Sequence, residues 1–215
     1  MWCIPELNEE FIVRMEKILK IYEKPYNPNE PVICFDEKPV QLLLDYREPL
    51  SMGPGTIKKI DSEYVRKGTA NIFVTVEPKA GNHYLYVTRN KKGNEFARVI
   101  KRLSEKYPKA KTIHLVMDNY STHTLKSLTD IYGISQGKKI WRKFKVHYTP
   151  KHASWLNQAE IGISMVSKQC LGKSRTGDFN ALRNKVNAWQ KIANKKKLKI
   201  QWKFTTKKAR EKFKY

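Results

Sequence analysis

From Asn8 to Tyr22 the apolar positions Phe11, Ile12, Met15, Ile18, Leu19 and Tyr22 recur at the interval of an amphipathic helix. Asn8 precedes the run as an N-cap, and Glu9 and Glu10 put negative charge in the first turn, where the helix dipole favours it. Pro25, Pro28 and Pro31 end the helix and make a linker. The period then changes. Val32–Asp36 and Gln41–Tyr46 are short apolar runs joined by Glu37-Lys38-Pro39, which predicts an antiparallel hairpin. Ser51–Gly68 is a polar, glycine-containing connection. Asn71–Val76 and His83–Thr88 are rich in β-branched and aromatic residues and are parted by Pro78 and Gly81, which predicts a second strand pair.

Helical spacing returns over Glu95–Tyr107, where Phe96, Val99, Ile100, Leu103 and Tyr107 form one stripe closed by Pro108. Thr112–Met117 reads as a buried strand, Thr124–Tyr132 as a short helix, Gly133–Lys143 as a basic loop, and Lys145–Tyr148 as a last strand stopped by Pro150. After Ala153, Leu156, Ile163, Val166 and Cys170 make an apolar helical stripe, with Asn157, Glu160, Ser164 and Ser167 on a polar one beside it. Glu160 is thus expected at the rim of the packed face. Beyond Lys173 the sequence is strongly basic, with Leu182, Val186, Trp189 and Ile192 at helical spacing. The layout predicted is a linker helix and proline-rich linker over 1–30, the principal α/β domain over 31–172, and a basic helical C-terminal extension over 173–215. Strands followed by alternating helices and strands predict a mixed sheet flanked by helices.

Charge narrows the partner. Lys and Arg number 43 against 20 Asp and Glu, a formal net charge of +23, and such an excess favours a polyanion through release of counterions from phosphates. Nucleic acid fits, although charge does not separate an enzyme from a passive binder. Cys3, Cys34 and Cys170 are scattered and contain no CxxC pair, which argues against a disulfide framework or a cysteine zinc site. No apolar run reaches the roughly 20 residues of a membrane span, and Met1–Lys20 lacks a signal-peptide layout. A cytoplasmic, nucleoid-associated protein is expected.

Chemistry enters with three segments. Val32–Asp36 and Ile113–Asp118 each deliver an aspartate where an apolar run stops, and Ser154–Glu160 opens a helix that carries a glutamate. A ribonuclease H-like layout meets the element order and sets the first strand beside the Thr112 strand, which makes Asp36 and Asp118 neighbours. An aspartate after a strand is often only a turn residue or a cap. Three carboxylates in this order point instead to hard divalent cations, which take oxygen ligands and promote in-line displacement at phosphodiesters. Strand alternation sends Glu37 to the other face, where a surface role is expected. Asn119 and Asn157 are candidates for orienting water at the metals, or plain caps. His123 and His152 are candidates for phosphate contact, or hydrogen-bonded structural histidines; His83, His114 and His147 are expected to be structural. Lys138, Lys139, Arg142 and Lys143 form one basic cluster, and Lys195, Lys196 and Lys197, between Trp189 and Trp202, form another. With Lys151 they are candidates for tracking a DNA backbone, the alternative being solvated helix faces over core tryptophans. Gly53-Pro54-Gly55 lacks the Gly-Lys-Ser/Thr of a phosphate-binding loop and reads as a turn.

Four stretches together carry a resemblance: Cys34-Phe35-Asp36-Glu37-Lys38-Pro39, Arg66 to Phe73, Met117-Asp118-Asn119 with Thr122-His123-Thr124, and His147 to Glu160. They resemble the catalytic domain of an IS630-type insertion-sequence transposase, in the IS630/Tc1/mariner superfamily of DDE transposases. The resemblance implies a ribonuclease H-like mixed five-stranded sheet flanked by helices. It implies Asp36, Asp118 and Glu160 as a DDE triad binding two Mg²⁺ or Mn²⁺ ions for DNA strand cleavage and strand transfer. It further implies transposon ends and target DNA as partners, in a homodimer or in association with a full-length transposase. The helix-turn-helix region that reads inverted repeats in that family has no counterpart before the first strand. The stretch from Trp202 to Arg210 resembles the end of such proteins, so a complete C-terminus is expected. The Asp118–Glu160 interval is long for the superfamily, with Gly133–Lys143 as the expected extra loop, and Gly162 weakens its helix by about 1 kcal/mol relative to Ala. The alternatives are a ribonuclease H-like nuclease acting on hybrids or junctions, and a truncated, non-catalytic DNA-binding remnant of a transposase.

Overall fold

The computed structural model describes residues 7–57, 59, 61–172 and 174–215; Cys3 lies outside them. Helix α1 spans Glu9–Glu23, and the Asn8 side chain accepts the Phe11 N–H at 2.8 Å, the expected N-cap. Its stripe of Phe11, Met15, Ile18, Leu19 and Tyr22 is buried. Five strands follow in two groups. Strands β1 (Val32–Asp45), β2 (Tyr64–Glu77) and β3 (Asn82–Thr88) form an antiparallel meander, and β4 (Ile113–Met117) and β5 (Phe144–Tyr148) extend it in parallel, in spatial order β3-β2-β1-β4-β5. Helix α2 (Gly93–Lys106) joins the two groups, and α3 (Leu125–Trp141) joins β4 to β5. After β5 come a 3₁₀ turn at Ser154–Leu156, helix α4 (Ala159–Met165) continued by a π-helical stretch at Val166–Leu171, then α5 (Phe179–Lys196) and α6 (Thr206–Phe213).

Two expectations change. The hairpin expected at Glu37-Lys38-Pro39 is instead one strand, paired with β2 straight through Asp36↔Val74 and Pro39↔Asn71. The pairing partner explains it: β4 pairs with β1 only at Val32–Cys34, so no strand lies on that side at Pro39, where a proline costs no ladder bond, and Leu43 N–H further on meets Thr176 O at 3.1 Å. The connection expected over Ser51–Gly68 accordingly gives up its last residues to β2. Arg175, in the segment after the π-helical stretch, holds this long two-stranded arm. Its guanidinium donates to Asp45 Oδ1 and to the carbonyls of Asp61, Ser62 and Glu63 at 2.6–3.2 Å. The second change is at Gly133–Lys143, expected as a loop. The helix breaks at Gly133, with φ +76°, and then resumes to Trp141, because Gly137 and Ile140 return to the buried side.

The sheet is covered on both faces. Ile33, Phe35, Phe73, Ile113, Leu115 and Met117 point to one side, against Phe96, Ile100 and Leu103 of α2 and Leu128 and Ile140 of α3. Ile72, Val74, Val76 and Leu85 point to the other, against Val166, Leu182, Val186 and Trp189. Cys34 and Val116, on that same side, lie under α1 and α6. Helix α5 also closes the outer edge of β3, since Leu85 N–H donates to Gln190 and His83 N–H to Asn194, at 2.6 and 2.7 Å. Side chains thus satisfy ladder groups that an open edge would leave unpaired.

Helix α6 is pinned to α1 by a bidentate ion pair, Arg210 Nε and Nη2 to Glu16 at 2.7 and 3.0 Å. Hydrogen bonds from Arg210 pull the Glu16 carboxyl down from 4.5 to about 2, against the opposing effect of burial. A lowered folded-state value stabilises above the unfolded one and is lost as pH falls through the folded one. The stability difference between wild type and Glu16→Gln, from urea unfolding, is therefore expected to be full above about pH 5 and to shrink steadily toward pH 2. Arg210→Ala is expected to flatten that dependence.

Candidate active site

The β1–β4 register sets the first two carboxylates. Cys34 is level with Val116 in the parallel pair, and two residues further along each strand stand Asp36 and Asp118. A step of two preserves the face within a strand, so Asp36 belongs to the side of Cys34, toward α1 and α4, and Asp118, just past the end of β4, comes within electrostatic range of it. Asp118 directly follows the end of β4, in keeping with the rule that sites in such sheets form beyond the carboxyl ends of parallel strands.

Glu160 comes from the first turn of α4, which packs on β1 and β2. Its side chain is exposed, as the sequence predicted for a rim position. Asn157 locks the approach to this helix: its Nδ2 donates to Phe35 O at 2.8 Å and to Asp36 Oδ2 at 3.3 Å, while its Oδ1 accepts the Ala159 N–H at 3.2 Å. One buried amide thus ties the strand carrying Asp36 to the helix carrying Glu160, an assignment that the sequence left open between cap and water-orienting group. Gly162 has a packing role. A Cβ at that position would lie 2.5 Å from Val76 Cγ2, so glycine is what lets α4 approach the sheet.

Electrostatics couple the group. Burial pushes the Asp36 carboxyl up to about 7, the hydrogen bond from Glu37 N–H opposes this, and the charges of Glu160, Glu37 and Asp118 add to the rise. Asp118 behaves oppositely: a hydrogen bond from His123 holds it below the usual carboxylate range, against partial burial. His123 is fully buried, its Nδ1 2.7 Å from Asp118 Oδ1 and its Nε2 2.6 Å from Glu37 Oε1. Burial alone would lower its pKa, but the two carboxylates outweigh that and raise it to about 9. Of its two expected roles His123 takes the hydrogen-bonded one, with both nitrogens against carboxylates, and Glu37, expected at the surface, has a side chain only 6 % exposed. Alternation did send Glu37 to the opposite face; what the sequence lacked was the histidine waiting there.

The remaining candidates divide by position. Asn119, Lys151 and His152 line a groove of about 680 Å³ beside Asp118, together with Arg14 and Tyr120. His152 is exposed with φ +57°, which leaves phosphate contact as the one of its two expected roles that its position suits. Lys138, Lys139, Arg142 and Lys143 sit where α3 leads into the start of β5, and Lys143 Nζ reaches Ser104 O at 3.4 Å. Lys195, Lys196 and Lys197 end α5 beside the β2–β3 turn, where Lys197 Nζ donates to Asn82 at 2.8 Å. Both clusters lie at the end of the sheet where β1, β4 and β5 begin, away from Asp118. His83, His114 and His147 are structural as expected: His83 Nε2 contacts Leu198 O at 2.8 Å, and His114 and His147 stack with ring nitrogens 3.0 Å apart.

Residues 31–183, which hold every strand and all three carboxylates, match the DDE superfamily endonuclease family. The chain belongs to that family. No curated protein matches it significantly. Solved structures similar to it in fold are a Mos1 mariner paired-end complex with Mn (15 % identity, TM-score 0.56), a Mos1 transposase paired-end complex with the left transposon end (14 %, 0.57) and the Mos1 strand transfer complex (14 %, 0.58). Each match covers 92 % of this chain and 61–62 % of the other. The expected ribonuclease H-like architecture is thus the observed one.

For a DDE endonuclease the donor set suits a hard divalent cation. Glu37 N–H and Asn157 occupy the oxygens of Asp36, whereas the protein donors to Asp118 converge on Oδ1, leaving Oδ2 and the Glu160 carboxylate without a hydrogen-bond donor among the described residues. Among those residues no three His, Cys, Asp or Glu side chains are drawn tightly enough together to hold an ion. Mutual repulsion favours that spread, and bound cations relieve it. The helix seat supplies a direct test. By propensity alone Gly162→Ala would gain about 1 kcal/mol; because the added methyl strikes Val76, a loss of about 1–3 kcal/mol is expected instead in thermal or urea unfolding.

Proposed function

We propose that this chain is the catalytic domain of a DNA transposase, cleaving DNA and transferring strands, with Asp36, Asp118 and Glu160 as its metal-binding carboxylates. The observation that carries the reading is the β1–β4 pairing, which ends just before Asp36 and Asp118 and so brings them within electrostatic reach of each other and of Glu160 on α4. Family membership and the fold shared with Mos1 complexes on transposon ends support DNA as the substrate. Mos1 has been solved with both Mn and Mg, which supports a divalent cation.

When bound, two such cations would activate the attacking oxygen and stabilise the departing one. Asp36 would be one of the ligands, and a neighbouring cation would offset its raised proton affinity. Asp118 would present Oδ2, its other oxygen being held by His123 and Tyr120 N–H. Asn157 keeps Asp36 and the start of α4 in fixed relation. Lys151, Arg14 and His152 would meet DNA phosphates along the groove beside Asp118, which Asn119 also lines. Arg14 is in part neutralised by Glu10 at 2.6 Å, so Lys151 is the stronger phosphate partner.

Asp36→Asn, Asp118→Asn and Glu160→Gln are each expected to abolish Mg²⁺-dependent nicking of plasmid DNA while leaving DNA binding by mobility shift unchanged. Undiminished cleavage in any one of them rejects the assignment. Cleavage of duplex transposon-type ends in preference to RNA/DNA hybrids or branched junctions is expected; the reverse preference would make the chain a nuclease on those substrates.

A further inference from the structure

We propose that Glu37 is a positioning residue for Asp118: acting through His123, its carboxylate fixes the rotamer of Asp118 so that one oxygen is held and the other faces a divalent cation. The inference rests on the reading of Asp118 as a metal ligand. Its basis is a continuous chain of contacts that crosses the sheet. Asp36 and Glu37 are consecutive on β1 and so face opposite sides, Asp36 toward α4 and Glu37, like Phe35, toward α2. A carboxylate buried on an apolar face is costly unless paired. The pairing partner is 86 residues away, His123, at 2.6 Å, and the other ring nitrogen of that histidine returns to Asp118 Oδ1 at 2.7 Å.

The ring has little freedom to turn. Phe96 stacks on it at 4.8 Å, Phe35 meets it edge-on at 5.3 Å and Tyr120 at 5.7 Å. Its main chain is held too, by His123 N–H to Tyr120 O at 2.9 Å and by Tyr148 Oη, which donates to His123 O at 2.8 Å. Both ring nitrogens lie against carboxylate oxygens, so the contact with Glu37 at Nε2 fixes how the ring presents Nδ1 to Asp118. Asp118 itself is 47 % exposed and follows the end of its strand, so it has no packing of its own to hold it. Outer partners of this kind usually change metal affinity by about 10–100-fold.

The test is a double-mutant cycle on Mn²⁺ binding to the whole chain, read without DNA from the EPR signal of free Mn²⁺. Glu37→Ala and His123→Ala are each expected to weaken binding by about 10–100-fold, and the double variant to be no weaker than His123→Ala alone, because Glu37 acts only through the ring. A merely structural glutamate would lower the melting temperature and leave Mn²⁺ affinity where it was. Wild-type affinity in Glu37→Ala, or losses that add in the double variant, overturns the proposal. Should Glu37→Ala not fold, Glu37→Met, which keeps the length and removes the oxygen facing His123, takes its place with the same expectation. Asp118→Asn separates the two levels: if it binds Mn²⁺ as wild type does, the ligand assignment fails; if it loses binding while the Glu37 variants do not, only the positioning role fails.

Discussion

The short parallel pairing of β1 with β4, Val32–Cys34 against His114–Val116, is the constraint on which the rest depends. It brings Asp36 near Asp118, and by stopping there it leaves one side of β1 free of a strand as far as Leu43, whose N–H meets Thr176 O. That free side is what lets Pro39 lie within a strand and lets β1 and β2 run on together as an arm past the carboxylates. Had β4 been longer, the proline would have interrupted a ladder and Asp118 would have been buried between strands. Site and arm are two results of one early termination.

The alternation of β1 then divides labour between the faces of the sheet. Asp36 is held from the α4 side by Asn157, and Asp118 is held by way of the α2 side, through His123 and Glu37. Two adjacent acids on one strand thus work in separate compartments. The environments differ as their surroundings dictate: burial and like charges raise the proton affinity of Asp36, while a buried cationic ring lowers that of Asp118.

What could be read in advance was local or periodic. Asn8, the stripe of α1, the α2 stripe and the rim position of Glu160 are each set by a few neighbouring residues, and the folded chain keeps them. Pro39 misled because a proline between apolar runs signals a turn unless the length of the neighbouring strand is known. Gly133 marked a break correctly, but the return to helix depends on Gly137 and Ile140 finding a buried side, a tertiary matter. The Glu37–His123 contact joins residues 86 apart and leaves no periodic trace. Charge was legible as a sum, not as a map: the lysines ending α3 and α5 fall at the far end of the sheet, and Lys151 alone of the named basic candidates lines the groove by Asp118.

Gly162 bears on how the third carboxylate can travel. With a hydrogen where a methyl would collide with Val76, α4 rests close on the sheet, a seat that leaves little downward stroke. Any approach of Glu160 toward the two aspartates must then be made by swinging its own three-bond side chain, or by gliding lengthwise over the valines. The glycine thereby turns a floating support into a fixed hinge post, and leaves the reach of the glutamate to its rotamers.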